Sequence, residues 1–228
     1  VDGMPVSVPV MDIHTVGAGG GSIAWIDAAG ALRVGPQSAG ADPGPICYGR
    51  GGTQITVTDA QVWLNRLPEA AFLGGTARLD RAAVHAPMQR LARELGVSAS
   101  EAAEGVVEVI NTAMEGALRV ITVERGFDPL DFTLVAFGGA AGMHAVELAI
   151  RLGVPRILLP RNPGLLSAFG MLVSPVRRDA ARTVLVRSDT KANSKLDAIF
   201  RELEGTVGHA MREEGVNRRS MRLTREID

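Results

Sequence analysis

The chain has 228 residues, of which 46% are hydrophobic and 21% charged, and its formal net charge is −1 at pH 7. This composition is typical of a globular protein and excludes a fibrous or disordered chain, while the balanced charge argues against a surface for nucleic acid or anionic membranes. The single cysteine excludes an internal disulfide framework. No apolar run reaches the roughly 18–20 residues that span a bilayer. We therefore expect a cytoplasmic protein.

The first half of the chain predicts a strand, a hairpin, a long loop and three helices. Val8–Val16 predicts a strand that ends at a glycine-rich turn, and residues 22–27 and 31–34 predict a β-hairpin. Residues 35–52 contain six glycines and three prolines, which predicts a long loop without a regular element. The helices are predicted at 60–66 after a cap at Thr58 or Asp59, at 79–95 with a potential break at Pro87, and from a cap at Ser98 or Ser100 to near Gly126.

The second half of the chain predicts a βαβ unit. An apolar run at 132–137 is typical of a buried strand, a glycine-rich turn and a helix at 140–152 follow it, and residues 156–160 predict a second strand. Two strands joined by such a crossover are expected to pair in parallel. The elements predicted after this unit are a helix at 165–173, a strand at 181–187 and a charge-rich amphipathic helix at 195–214.

Two glycine-rich turns, Gly17–Ser22 and Gly138–Gly142, follow predicted strands in a chain that contains 27 glycines. Successive N–H groups in such turns can bind an anion, and the second turn also leads into a helix N-terminus, whose dipole attracts anions. The chain has no Gly-Lys-Ser/Thr motif and no full dinucleotide-binding pattern, so a P-loop and a Rossmann site are disfavoured. Each turn is therefore either a phosphate site or a plain tight turn.

Asp12 and His14 stand two residues apart on the first predicted strand, so their side chains are expected on one face. Together with His144, near the second turn, they could bind a divalent metal or exchange a proton with a substrate. These three residues do not complete a ligand set by themselves. The alternative is that His14 and His144 are packed, hydrogen-bonded core residues.

The long loop carries three further candidates. Cys47 has no histidine near it in sequence that could act as its base, so we predict structural burial for this thiol. Asp42 and Arg50 either contact a substrate or phosphate group or are solvated loop charges. His85 and His209 are predicted to lie on helix surfaces without a functional role.

The stretches DIHTVGAGGGSIAWIDAAGALRVGPQSAGADPGPICYGRGGTQITVTDA and FGGAAGMHAVELAIRLGVPRILLPRNPGLLSAFGML closely resemble the hydantoinase A/oxoprolinase family. Its members include ATP-dependent hydantoinases, 5-oxoprolinases and one subunit of acetone-type carboxylases. The resemblance covers Met11 to about Arg182 and implies an α/β fold of the actin-like, hexokinase-like ATPase type, with mixed sheets flanked by helices and nucleotide between two lobes. It further implies a partial ATPase core at residues 1–188, without an N-terminal lobe segment, and a truncated helical segment at 189–228.

The resemblance also implies site residues and ligands. Asp12 and His14 would be catalytic or, with His144, would hold Mg²⁺ or another divalent metal, and ATP would be the nucleotide. The nucleotide-binding residues implied are Gly17, Gly19, Gly20, Gly21 and Ser22 on the phosphate side, and Gly138, Gly139 and Gly142 at the adenosine.

The function implied is that of part of an ATP-dependent hydrolase, which phosphorylates the carbonyl of a cyclic amide to promote ring opening and works with a B-type partner subunit or domain. Two alternatives remain open. The chain could belong to the ATPase subunit of a ketone carboxylase, or it could be a non-catalytic, actin-like module that binds nucleotide or acts in assembly.

Overall fold

Six helices and two small β-sheets make up the part of the chain that the structure, a computed structural model, describes: residues 13–70, 75–185 and 192–227. The chain divides into two units, Val1–Ala168 and Phe169–Asp228. The strands are β1 (Ser22–Ile26), β2 (Leu32–Ser38), β3 (Thr133–Val135) and β4 (Arg156–Leu158). The helices are α1 (Val57–Trp63), α2 (Arg81–Leu95), α3 (Ala99–Ile121), α4 (Ala141–Leu152), α5 (Leu166–Val173) and α6 (Ala192–Glu213).

The antiparallel hairpin of β1 and β2 confirms the prediction for residues 22–34. Its turn is closed by Asp27, whose Oδ1 accepts hydrogen bonds from the N–H groups of Ala29 and Ala31, each 3.0 Å long. Strand β2 continues through Gly35 to Ser38, so the prediction of an irregular loop from residue 35 onward was wrong. The Trp25 indole, which donates a 2.9 Å hydrogen bond to the Gly35 carbonyl, helps to hold this glycine in the sheet.

The rest of the long loop is shaped by the start of α1. The cap is Thr56 and not Thr58 or Asp59, because Asp59 is the third helical residue and forms a capping box with Thr56. The Asp59 carboxylate also accepts hydrogen bonds from the backbone N–H groups of Cys47 (2.8 Å) and Ile46 (3.3 Å). A short 3-10 turn at Ile46–Tyr48 is thereby fixed against the helix, in a segment for which no regular element was predicted.

Helix α2 ends at Gly96 as predicted but starts at Arg81, two residues later than predicted, and α3 has the predicted cap. Asp80 caps α2, which runs unbroken through Pro87 and ends at Gly96 in the left-handed conformation with φ of +70°. A capping box of Ser98 and Glu101 starts α3, as predicted. The hydrophobic core of the first unit comprises apolar residues from β1, from the long loop and from helices α1, α2 and α3. Among them are Ala24, Ile46, Cys47, Val57, Val62, Val84, Met88, Val106 and Ile110.

The βαβ unit is confirmed, since β3 and β4 pair in parallel and α4 connects them. Arg151, near the end of α4, forms ion pairs with Glu108 and, at 3.7 Å, with Glu115, both on α3. A third ion pair joins Arg151 to Glu147 of its own helix at 2.6 Å. The Arg151 guanidinium therefore ties the end of α4 to α3, which carries the core.

In the second unit, α6 confirms the predicted amphipathic helix and is bound by arginines from the flanking segments. Arg182 pairs with Glu202 at 2.6 Å, and Arg225 pairs with Glu204 at 2.7 Å and stacks over Phe200. Residues 181–185 are irregular, so the predicted strand is absent from the described part of its range. Within the described residues, no helix is both long enough and apolar enough to cross a membrane.

Candidate functional site

The first glycine-rich turn closes on itself before β1 begins. The Gly19 N–H donates to the Ser22 hydroxyl, and the Ser22 N–H donates to the Gly19 carbonyl, both at 3.0 Å. The Gly20 carbonyl accepts two hydrogen bonds of 2.8 Å from Thr58, one from its N–H and one from its hydroxyl. Helix α1 therefore fixes the position of this turn.

The close approach of the first glycine-rich turn to Thr58 requires glycine at position 20. A Cβ atom on Gly20 would lie 2.8 Å from the Thr58 hydroxyl oxygen and 3.4 Å from the Cβ of Ala140. Gly21 is similarly confined, because its Cβ would lie 2.7 Å from the Ser38 hydroxyl oxygen. Around a Cβ at Gly19, in contrast, the described residues leave open space within 4 Å. A Cβ on Gly17 would lie 3.0 Å from the Cβ of Pro36, so the turn combines three tightly packed glycines with the open Gly19.

The second glycine-rich turn joins β3 to α4 and is open on one side. Gly138 has φ of +92°, a left-handed conformation that favours glycine, and its N–H donates a 2.8 Å hydrogen bond to the Pro163 carbonyl. No described atom lies within 4 Å of a Cβ on Gly138 or Gly139. The N-cap of the 12-residue helix α4 is Ala140, whose side chain cannot accept a hydrogen bond. The first N–H groups of the helix are therefore not capped by that residue. Such a helix start suits an anionic group.

A cavity of about 320 Å³ lies between the two turns. Its wall includes Ala18 and Gly19 from the first turn, Ala140 and Ala141 from the start of α4, and residues 134–137. The remaining lining side chains are those of Met114, His144, Ala145 and Leu148. Apart from the His144 imidazole, the cavity wall is apolar. The structure therefore brings the first turn to the second turn and His144, although a long stretch of sequence separates residues 17–22 from residues 138–144.

His144 is completely buried, and its Nδ1 atom lies 2.6 Å from Oδ1 of Asn111, which is also completely buried. Its other nitrogen, Nε2, has no hydrogen-bond partner among the described residues. Burial lowers the pKa of His144 below its usual range, although the Glu147 charge opposes this effect. The imidazole is accordingly neutral at pH 7. Sequence reasoning missed Asn111, whose only signal was a polar residue on the apolar face of α3.

Asp12 lies outside the described residues, and the catalytic or metal-binding role of His14 stays a prediction. His14 is exposed, and the described part of the predicted first strand, residues 13–16, is irregular. The strand prediction was wrong for these residues, which pair with no strand among the described residues. Among the described residues no group of three or more His, Cys, Asp or Glu side chains could hold a metal ion.

In the long loop, Cys47 is completely buried, as predicted. Burial, followed by the negative charge of Asp59, raises the pKa of its thiol far above the usual range, so the thiol is not poised as a nucleophile. Asp42 and Arg50 are exposed, and the Arg50 guanidinium lies 3.4 Å from the Ala41 carbonyl of its own loop. Substrate contact by these two residues stays a prediction.

The histidines to which no role was assigned lie on helix surfaces, as expected. His85 is exposed and its ring packs on Trp63, with 5.4 Å between the ring centroids. This pair borders a wider cavity of about 700 Å³ near the start of α2, which neither glycine-rich turn lines. His209 is exposed on α6, 3.6 Å from Glu213.

Comparison with known proteins gives a consistent set of relatives. The family model described as Hydantoinase/oxoprolinase matches residues 1–180. The caprolactamase subunit alpha of Pseudomonas jessenii is 46% identical over 81% of this chain and 27% of its own length. The crystal structure of ATP-dependent caprolactamase from the same organism superimposes with a TM-score of 0.69 and 40% identity, over 93% of this chain and 31% of that one.

The nucleotide-free structure of an acetone carboxylase, from a study of ATP-dependent acetone carboxylation, superimposes with a TM-score of 0.77 and 28% identity. The match covers 89% of this chain and 30% of that one. The chain thus spans less than a third of the length of these relatives.

Proposed function

Because the chain belongs to the hydantoinase/oxoprolinase family, we propose that it forms part of an ATP-dependent hydrolase that opens cyclic amides. When bound, ATP would supply a phosphoryl group to the amide oxygen, which would make the carbonyl carbon electrophilic enough for water to add and the ring C–N bond then to break. The chain would contribute a nucleotide-binding part of an actin-like, hexokinase-like ATPase core. The ATP-dependent caprolactamase among its relatives supports a cyclic amide as the substrate class.

The observation that carries this proposal is the convergence of both glycine-rich turns on one cavity. The residues present fit a nucleotide in two respects: open space beside Gly138 and Gly139, and a helix start without a side-chain cap. Gly138, Gly139 and Gly142 would hold the adenosine side. Gly17–Ser22 would hold the phosphate side, where backbone N–H groups can bind phosphate oxygens without a side chain in the way.

Divalent-metal use at Asp12, His14 and His144 remains part of the proposal, but we derive no step from it. The donor chemistry is suitable, since imidazole and carboxylate both bind divalent ions. Among the described residues no group of three or more His, Cys, Asp or Glu side chains could hold the ion, and Nδ1 of His144 is already engaged by Asn111. Metal analysis of the purified protein and of His14→Ala would overturn this part if neither carried stoichiometric metal.

Two other functions have support of their own. The TM-score of 0.77 to an acetone carboxylase favours an ATPase subunit of a ketone carboxylase as the second candidate. A non-catalytic module that binds nucleotide would share the same cavity. The relative that is named as a subunit alpha supports a partner subunit in either enzymatic case.

The nucleotide site is tested with two matched glycine variants. Gly139→Val adds a side chain to the open space beside the second turn, and Gly116→Val adds the same side chain to equally open space on α3. We expect Gly139→Val to weaken ATP binding at least fivefold in calorimetric titration, because a bound nucleotide would meet the new side chain, whereas Gly116→Val leaves it unchanged. Equal ATP binding by both variants would contradict a nucleotide at this turn.

The reaction is tested by measuring ATP hydrolysis in the presence of a panel of possible substrates. The purified chain is combined with its partner subunit and supplied with cyclic amides, or with ketones and bicarbonate. Hydrolysis stimulated by a cyclic amide is the expected result. Stimulation by a ketone with bicarbonate would replace this function by the second candidate, and binding of ATP without turnover would leave the non-catalytic module.

A further inference from the structure

We propose that the hydrogen bond between Asn111 and His144 positions the start of α4, and with it one wall of the cavity, for the bound nucleotide. This inference rests on the proposed nucleotide-binding function and adds two positioning residues to it. Both side chains are completely buried, so neither has to touch the ligand. Their effect would reach the ligand through the backbone of α4.

The start of α4 lacks a side chain that would hold it in place. The helix follows Gly138 and Gly139, around which the described residues leave open space, and its N-cap Ala140 makes no side-chain capping bond. The next three residues, 141–143, are exposed or half-buried. His144 is thus the first completely buried side chain of the helix, and its contacts are the first that anchor α4 to the core.

Asn111 gives His144 a partner on the best-anchored helix of the first unit. It lies on α3, in which Val106 and Ile110 are completely buried in the core. Nδ1 of His144 lies 2.6 Å from Oδ1 of Asn111, and an imidazole and an amide can form this hydrogen bond whichever of the two donates. The strength of a hydrogen bond falls steeply with distance and angle. The bond therefore defines where the first turns of α4 lie on α3.

The other contacts of α4 define its position less sharply. Its buried face is completed by Ala145, Leu148 and Ala149, two of which carry a single methyl group. Burial of apolar surface is non-directional, so a small shift of such a face costs little. At the far end of α4, Arg151 pairs with two glutamates of α3 through a long, partly exposed side chain, which can follow a shift of the helix.

We expect the pair to contribute little to stability, which separates its role from that of an ordinary core contact. Each partner keeps one buried atom without a hydrogen-bond partner among the described residues, Nδ2 of Asn111 and Nε2 of His144. Such atoms cost free energy, whereas two apolar side chains at the same places would have no such cost. A buried polar pair that carries this cost is better explained by the direction it imposes than by the stability it provides.

The part of α4 that is positioned in this way belongs to the candidate site. Ala140 and Ala141 line the cavity beside the first glycine-rich turn, and His144 lies one turn further along the helix. A helix start binds an anion through N–H groups of its backbone, so a shift of the helix moves these donors directly. A displacement of about 1 Å is enough to weaken a site that depends on exact placement.

The inference is tested by measuring ATP affinity and stability separately. Asn111→Leu combined with His144→Leu replaces the pair by two apolar side chains and leaves no buried polar atom unpaired. We expect calorimetric titration to show at least about tenfold weaker binding of ATP. The midpoint of urea unfolding should stay within about 0.5 M of the wild type or rise. An unchanged ATP affinity would overturn the inference and leave the proposed function intact.

Two single variants keep the test decisive if the double variant does not fold. His144→Asn and His144→Ala both remove the ring, but asparagine keeps a hydrogen-bonding group close to the place of Nδ1. Both should lower the urea midpoint by about 1 M, because both leave a cavity. His144→Ala should also weaken ATP binding at least about tenfold, whereas His144→Asn should bind within about threefold of the wild type. Equal ATP binding by the two variants would overturn the role of the hydrogen bond.

Arg151→Gln is the matched control at the other end of α4, because it removes ion pairs with α3 but leaves the Asn111–His144 bond in place. We expect its ATP affinity to stay within about twofold of the wild type. A loss as large as that of the double variant would assign the effect to the packing of α3 and α4 as a whole and overturn the inference. Failure of the wild-type chain to bind ATP would overturn the proposed nucleotide site and the inference with it.

Discussion

Thr58 holds the carbonyl oxygen of Gly20 with two hydrogen bonds of 2.8 Å, one from its backbone N–H and one from its hydroxyl. Gly20 in turn neighbours Ala140, since a Cβ on the glycine would lie in van der Waals contact, at 3.4 Å, with the Cβ of that residue. Thr58 is therefore the residue through which α1 fixes the first glycine-rich turn beside the start of α4. The geometry of the candidate site depends on a helix that contributes no residue to its cavity wall.

Thr58→Val is expected to loosen this connection. The side chain is nearly completely buried, and valine preserves its shape but removes the hydroxyl donor. Because the Gly20 carbonyl keeps the bond from the backbone N–H, we expect the free energy of unfolding to fall by about 1 kcal/mol. Urea denaturation measures this change. Thr58→Ser keeps the hydroxyl and serves as the control, and a Thr58→Val protein as stable as the wild type would show that the hydroxyl bond contributes nothing.

Gly20→Ala is expected to disturb the contact between the first turn and α1, since its methyl group would lie 2.8 Å from the Thr58 hydroxyl oxygen. That oxygen belongs to a short, buried and hydrogen-bonded side chain, so we expect a loss of about 1–3 kcal/mol of stability, typical of overpacking. The matched control is Gly19→Ala, next to it, where the described residues leave open space. Combining Gly20→Ala with Thr58→Ala should recover part of the loss. Equal stability of the two single variants would refute the close contact.

Local signals were sufficient to predict several elements from the sequence. The capping box of Ser98 and Glu101 joins residues three positions apart, and Gly96 ends α2 in the left-handed conformation that few other residues adopt. The βαβ unit was also predictable, because its two apolar strand segments, its glycine-rich turn and its helical segment follow one another in one continuous stretch of sequence. In each of these cases the deciding interactions are between near neighbours in the chain.

Contacts between distant residues account for what the sequence did not predict. Helix α1 starts earlier than predicted because Asp59 serves as acceptor for Cys47, 12 residues before it, as well as for Thr56. The role of Asn111 depends on His144, 33 residues away. The cavity itself exists because the two glycine-rich turns come together, and no periodicity or spacing in the sequence indicates that contact.

Asp59→Asn is expected to be the most destabilising of the substitutions considered. The buried carboxylate accepts four hydrogen bonds, from the N–H groups of Ile46, Cys47 and Thr56 and from the Thr56 hydroxyl. An amide group would turn one acceptor into a donor that faces other donors, so we expect a loss of at least about 3 kcal/mol.

The control for this substitution is Asp80→Asn, the same change at the exposed cap of α2. Asp80 accepts a hydrogen bond from the Ala83 N–H through Oδ1, and asparagine caps helices about as well as aspartate. We expect a change within about 0.5 kcal/mol in the same denaturation experiment. Similar losses at the two positions would show that the four-donor arrangement around Asp59 carries no special weight.

Cys47 is expected to resist thiol reagents in the folded chain. Its burial, followed by the negative charge of Asp59, raises the thiol pKa, so very little thiolate forms at about pH 8. Because the chain has one cysteine, reaction with Ellman's reagent reports this thiol alone. We expect the native chain to react more than about 100-fold more slowly than the chain in denaturing urea, since reaction requires local opening. Comparable rates in both conditions would mean that the loop does not bury the thiol.

The stability of the chain is expected to depend on pH through His144. Burial lowers the folded-state pKa of this residue below 6.5, with Arg66 adding to the effect and Glu147 opposing it. Between the two pKa values the unfolded chain binds a proton that the folded chain does not, so stability is complete above about pH 6.5 and falls as the pH decreases below it. The slope should approach at most about 1.4 kcal/mol per pH unit.

Urea denaturation between pH 5 and 7.5 measures this dependence of stability on pH. His144→Gln should flatten it, while His85→Gln on the helix surface should preserve it. An unchanged slope in His144→Gln would place the responsible proton on another group.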